Sequence, residues 1–168
     1  MAVLELVRNN PYRVLGVYSN SPAKDKVSNK NRLIAFSRVG KICSFPLDFS
    51  DVFGEPDRSL ESINRSEQQL KLDADKLKHA FFWFIQFSPL DKAALSNLQA
   101  GNHAKAEEIL LKRENDFSSL INRSMIAYLH EYIDEAVELV STLINDDEER
   151  DKFIQAICGD KASFSREE

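Results

Sequence analysis

The sequence predicts an all-helical protein, and three observations carry that prediction. Only five Gly and five Pro interrupt 168 residues rich in Leu, Ala, Lys and Glu, the strong helix formers. Apolar residues recur at intervals of three and four, most regularly at Leu70, Ala74, Leu77, Phe81 and Phe84. Helix starts are written as a capping residue ahead of a proline, at Asn10-Pro11 and again at Ser21-Pro22. Apolar residues make up 43% of the chain and charged residues 29%, which is the balance of a folded chain and not of a disordered one.

Each element follows in order. Asn10 caps a short helix with Pro11 in its first turn, Tyr12, Leu15 and Val17 as apolar positions, and Gly16 as its stop. A second helix runs from Pro22 to about Val39, with Val27, Leu33, Ile34 and Phe36 loosely on one side and Ala35 beside them. Residues 41–58 read as a long loop holding Phe45, Leu47, Phe49, Val52 and Phe53. So apolar a loop is expected to fold back over the preceding helices, with a partner-binding patch as the alternative. A long helix then carries Ile63 and the stripe from Leu70 to Phe84, with Asp73 a candidate cap for a fresh turn. Ala80 to Ile85 is apolar on every face, so a helix there needs neighbours all round, and the segment is expected at the seam between the two halves.

Beyond it, Pro89-Leu90-Asp91 opens a helix that Gly101 closes, and two stretches of a turn followed by a helix come at Leu98 to Leu110 and Leu129 to Leu139. A last helix spans roughly Asp146 to Ile157, its acidic start suited to the positive end of the helix dipole. The expected division is 1–87, 88–158 and a flexible tail over 159–168.

Charge is distributed unevenly. The net charge is −5, yet residues 1–58 carry nine Lys/Arg against six Asp/Glu, and the remainder thirteen against twenty-one. Overall acidity speaks against nucleic acid as a partner, which needs a broad positive footprint. Between Pro22 and Lys41, however, stand Lys24, Lys26, Lys30, Arg32, Arg38 and Lys41 against Asp25 alone. A one-signed helix face of this kind is either plain solvated surface or a docking surface for an acidic partner. The candidate partner-binding residues are Lys24, Lys30, Arg32 and Arg38. The longest apolar run is too short to cross a bilayer, the first residues lack the order of a signal peptide, and the two cysteines lack a paired spacing. A cytoplasmic location with free thiols is the expectation.

The run Asn10-Pro11-Tyr12-Arg13-Val14-Leu15-Gly16-Val17, followed by a basic helix, resembles the opening of a J-domain, the module with which co-chaperones stimulate a 70-kDa heat-shock ATPase. The resemblance covers roughly residues 8–87. It implies that the basic helix faces the chaperone. Aligning Val27 and Ile34 with the family's core positions puts Val39-Gly40-Lys41 where the stimulating His-Pro-Asp belongs, and no His-Pro pair exists anywhere in the chain. Stimulation is therefore not expected, although an active co-chaperone working through the basic helix alone is the alternative.

Two later stretches, Leu98 to Leu110 and Leu129 to Leu139, resemble the turn and second helix of tetratricopeptide repeats. Ala106 matches Ala136, Ile109 matches Leu139 and Leu95 matches Met125, while Glu131 stands where Gly101 did and weakens the second turn. The implied arrangement is a J-domain-like helical hairpin packed against a short array of helical hairpins, which binds another protein or peptide. The last helix then caps the array, or further repeats follow it.

Catalytic chemistry finds no foothold in the sequence. His79, His103 and His130 sit singly on separate predicted elements, with no His-x-x-x-His or Cys-x-x-Cys pair to hold a metal. There is no Gly-rich phosphate loop and no Gly-x-Ser-x-Gly elbow. The expectation is a binding module that is not an enzyme and needs no cofactor.

Overall fold

Helices make up the regular structure, and among the described residues there is no strand. The helix after Ser21-Pro22 begins at Ala23 with Pro22 in the cap position and no side-chain cap, so Ser21 is not its cap as expected. The computed structural model describes residues 2–160 and 162; most of the tail expected to be flexible over 159–168 lies outside the described residues. The chain divides into two compact units, Met1–Trp83 and Phe84–Glu168. No helix among the described residues is long and apolar enough to cross a membrane.

The first unit contains α1 (Ala2–Arg8), α2 (Pro11–Leu15), α3 (Ala23–Arg38), α4 (Ser50–Phe53), α5 (Leu60–Gln69) and α6 (Asp73–Ala80). Its centre is the five-residue α2, every residue of which is buried. Asn10 caps it, accepting from the Tyr12 N–H at 3.0 Å, and donates from Nδ2 to the carbonyls of His79 and Phe82 at 2.8 and 3.1 Å. Tyr12 donates its hydroxyl to the Lys76 carbonyl, and Trp83 its indole N–H to that of Val17, 2.8 Å away. One cap residue and two ring donors thus hold the end of α6 against α2. Gly16 ends α2 in the left-handed region at φ 66°, where a Cβ would overlap the Phe45 ring. Only glycine meets both demands.

The apolar loop does fold back. Cys43, Leu47 and Phe53 are buried, and α4 forms within the loop. Under it lies a buried network. Arg13, 1% exposed, donates to the carbonyls of Arg8, Asp48 and Gly54. Arg58 donates to both carboxylate oxygens of Asp48 and to the carbonyls of Arg13, Val14 and Cys43. Burial pushes the Arg13 guanidinium down to about 10, against the opposing pull of Asp48.

Three expectations need correction here. The stripe from Leu70 to Phe84 is not one helix: α5 stops at Gln69 and Leu72 is extended at φ −91° and ψ 142°. A fresh helix, α6, does begin at Asp73, with Leu72 and not Asp73 in the cap position and Asp73 and Asp75 in the first turn. That break resets the register, leaving Ala74 exposed and Leu77 and Phe81 half-buried. The run Ala80 to Ile85 is not helical beyond Ala80; a turn carries Trp83 into the core, and burial there comes from the chain's path and not from a helix apolar all round. Val27 is 54% exposed, so α3 rests on Leu33, its one buried residue, with Ile34 and Phe36 half-buried.

The second unit contains α7 (Pro89–Gln99), α8 (His103–Leu110), a 3-10 turn (Leu111–Arg113), α9 (Phe117–Leu129), α10 (Ile133–Asn145) and α11 (Asp147–Cys158). Ser88 and Asp91 form a reciprocal capping box at the start of α7. Helix α9 is buried along its whole length except at Arg123. Ala106 and Ala136, both 0% exposed, let α8 and α10 close onto α7 and α9. Asn122 reads the backbone of Ile85, accepting from its N–H at 3.0 Å and donating to its carbonyl at 2.8 Å. Asp146 caps α11 by accepting from the Glu148 and Glu149 N–H groups.

The two hairpin turns of this unit are conformationally equivalent. Gly101 and Glu131 both adopt positive φ, 82° and 61°, and the next residues, Asn102 and Tyr132, match at φ −89° and −84°. Hydrogen bonds from Asn102 N–H to the Asn97 carbonyl and from Tyr132 N–H to the Ala127 carbonyl close both in the same way. Glu131 therefore takes up glycine's conformation without glycine's freedom.

Candidate functional site

Helix α3 is fastened by its inner side alone. Asn29 donates from Nδ2 to the carbonyls of Leu15 and Gly16, each at 3.0 Å, Leu33 enters the core, and Lys26 lies over the Tyr12 ring. Lys30 pairs with Glu67 on α5 at 2.6 Å, its side chain 21% exposed. The opposite face, Lys24, Ser28, Asn31, Ala35 and Arg38, is exposed along the whole helix.

The four candidate basic residues therefore divide. Lys24 and Arg38, fourteen positions apart in the sequence, sit on the exposed face and pair with no acid among the described residues. Arg32 is exposed on the adjacent flank, its guanidinium over the rings of Phe36 and Phe45 at 5.7 and 5.8 Å. Lys30 turns the other way and spends its charge on Glu67. The protein thus brings three of the four to outward-facing positions and uses the last within its own fold.

Apolar surface adjoins this charge. Val39 and Ile42, 66% and 88% exposed, follow the helix, and Val27 stands between its basic residues. A cavity of about 310 Å³ opens beside Ile42, with Leu33, Phe36 and Cys43 in its wall. An outward surface with cations around exposed aliphatic side chains can bind acidic segments that carry apolar residues.

Two of the histidines expected to sit singly are brought together. His103 Nδ1 and His130 Nε2 stand 3.2 Å apart, within an open groove of about 860 Å³ that Glu107 and Tyr132 also line. His103 opens α8 and His130 ends α9, so each flanks one of the two equivalent turns. Partial burial and the neighbouring His130 depress the affinity of His103 for a proton. The only signal in the sequence was the position of both histidines beside predicted turns. His79 stays apart on α6, half-buried. Among the described residues no three His, Cys, Asp or Glu gather in a metal-holding group, and Cys43 and Cys158 are unbridged.

Comparison with protein-family models, with curated proteins and with solved structures finds no match.

Proposed function

We propose that this chain is a non-catalytic protein-interaction module whose docking surface is the outer face of α3. The observation that carries the reading is the economy of that helix: sixteen residues bury one, Leu33, and Lys24, Arg32 and Arg38 stay outward beside exposed Val39 and Ile42. A helix kept only for core packing would bury more of its apolar side. The partner is a protein segment that is acidic and carries apolar anchors, met in the cytoplasm. In this reading the first unit is a J-like domain that lost its His-Pro-Asp tripeptide, and the second a short tetratricopeptide-like array that scaffolds a client or chaperone.

The test is affinity capture with the full chain and with a Lys24→Glu/Arg32→Glu/Arg38→Glu variant. A Lys105→Glu/Lys112→Glu variant, reversed at exposed positions of the second unit, serves as the control. Partners retained by the wild type and the control but lost by the triple variant support the reading. An unchanged set of partners removes it. The alternative, an active co-chaperone, rests on the same basic helix. Clear stimulation of a 70-kDa heat-shock ATPase by the wild type, abolished in the triple variant, would establish it instead.

A further inference from the structure

We propose that His103 and His130 form a two-imidazole site for a borderline transition-metal dication, Zn²⁺, Ni²⁺ or Cu²⁺. Their facing nitrogens, His103 Nδ1 and His130 Nε2, are 3.2 Å apart. Two nitrogens bound at about 2.0–2.1 Å to a tetrahedral ion stand about 3.3–3.4 Å apart, and at right angles about 2.9 Å. The observed spacing lies between these values, so an ion can enter with only small ring movements.

The two ligands come from different elements, each fixed by a closed turn. Gly101 and Glu131, both at positive φ, set the backbone directions at the start of α8 and the end of α9. Tyr132 stacks on the His130 ring, centroids 5.9 Å apart and planes 28° apart, and limits its rotation. This convergence of two hairpins is a firmer scaffold than two histidines on one mobile loop.

The chemistry closes without an extra proton. In the observed contact one imidazole donates its N–H to the other nitrogen. Metal binding needs a lone pair on both facing nitrogens, so the shared proton moves by exchange with water to the far nitrogen of its own ring. Neutral imidazoles then hold the ion and no net proton is released. The remaining positions stay open to water or to a side chain of a bound protein, because the groove of about 860 Å³ is open to solvent. Glu107, one helical turn beyond His103, lines the same groove without joining a preformed three-residue cluster. Imidazole ligands favour Zn²⁺, Ni²⁺ and Cu²⁺ over Mg²⁺ and Ca²⁺, which select oxygen.

The experiment is calorimetric titration of the full chain with ZnCl₂ and NiCl₂, beside MgCl₂. One equivalent of Zn²⁺ or Ni²⁺ is expected with a Kd on the order of micromolar, and no saturable Mg²⁺ binding. His103→Ala and His130→Ala should each weaken binding at least about tenfold, and His79→Ala should leave it unchanged. X-ray absorption of the Zn²⁺-loaded wild type provides a readout that needs no variant, and two imidazole scatterers are expected. Absence of saturable Zn²⁺ and Ni²⁺ binding, binding indifferent to both alanine variants, or an oxygen-only shell would overturn the proposal.

Discussion

Arg58 grips Asp48 with both ends of its guanidinium, one nitrogen 2.7 Å from each carboxylate oxygen. The pair is nearly shut from water, with side-chain exposures of 10% and 5%. Asp48 also accepts from the Phe45 N–H at 2.9 Å, and its carbonyl accepts from Arg13. The pair therefore pins the apolar loop after α3 to α2. Asp48→Ala would leave Arg58 charged and without its carboxylate, and should cost about 3–5 kcal/mol. Denaturation followed by fluorescence of Trp83, the single tryptophan, checks this within the first unit. The half-exposed pair Lys30–Glu67 makes the contrast: Glu67→Gln should cost under about 1 kcal/mol.

Gly16→Ala should destabilise the first unit by about 2–4 kcal/mol, from left-handed strain and overlap with the Phe45 ring together. The two causes separate in a double variant. Combined with Phe45→Ala, the substitution should cost less than it does alone, with the left-handed cost of about 1–2 kcal/mol remaining. Equal costs in both backgrounds would show that the ring moves aside freely.

Glu131→Gly should stabilise the second unit by about 1 kcal/mol, because the left-handed φ of 61° is relieved. Gly101→Ala, at φ 82°, should destabilise it by a similar amount, although open space surrounds its Cβ position. Opposite shifts in thermal midpoint check the equivalence of the two turns.

Asn122→Ala removes the side-chain partners of the buried Ile85 N–H and Ile85 carbonyl, and should cost about 2–4 kcal/mol. Hydrogen exchange at the Ile85 amide should accelerate by at least about tenfold in the variant.

His79 should make stability depend on pH. Burial, reinforced by Lys78 and opposed by Asp75, lowers its pKa below the ordinary 6.5. The unfolded chain then binds the proton more readily than the folded one, so stability falls as pH drops through 6.5 toward the folded value. His79→Gln should flatten that part of the stability curve, as seen by urea denaturation between pH 7.5 and 5.5.

Much of the local structure was legible because it is written within one turn of chain. Asn10 ahead of Pro11, the run Pro89-Leu90-Asp91, and the acidic start of α11 each announce a helix to a reader of neighbours. Apolar spacing alone could not show where a helix breaks; the acidic residue Asp73 was the local sign of the restart, and α6 begins there. The stripe at Leu70 to Phe84 keeps helical spacing through an extended Leu72, and nothing local to Ala74 says that it faces solvent. Long-range pairings were equally hidden. Arg58 meets Asp48 and Arg13 across ten and forty-five residues, and His103 meets His130 across twenty-seven. Of the basic helix, charge was legible but direction was not, since only packing reveals that Lys30 turns inward to Glu67 while Lys24 and Arg38 stay outward.

The outer face of α3 as the docking surface is tested most directly by NMR of the labelled full chain, titrated with an acidic partner recovered by capture. Amide shifts concentrated at Lys24, Asn31, Arg32, Ala35, Arg38 and Ile42, and fading as salt is raised, are the predicted result. Saturable binding that leaves these amides unmoved and shifts others instead would contradict it.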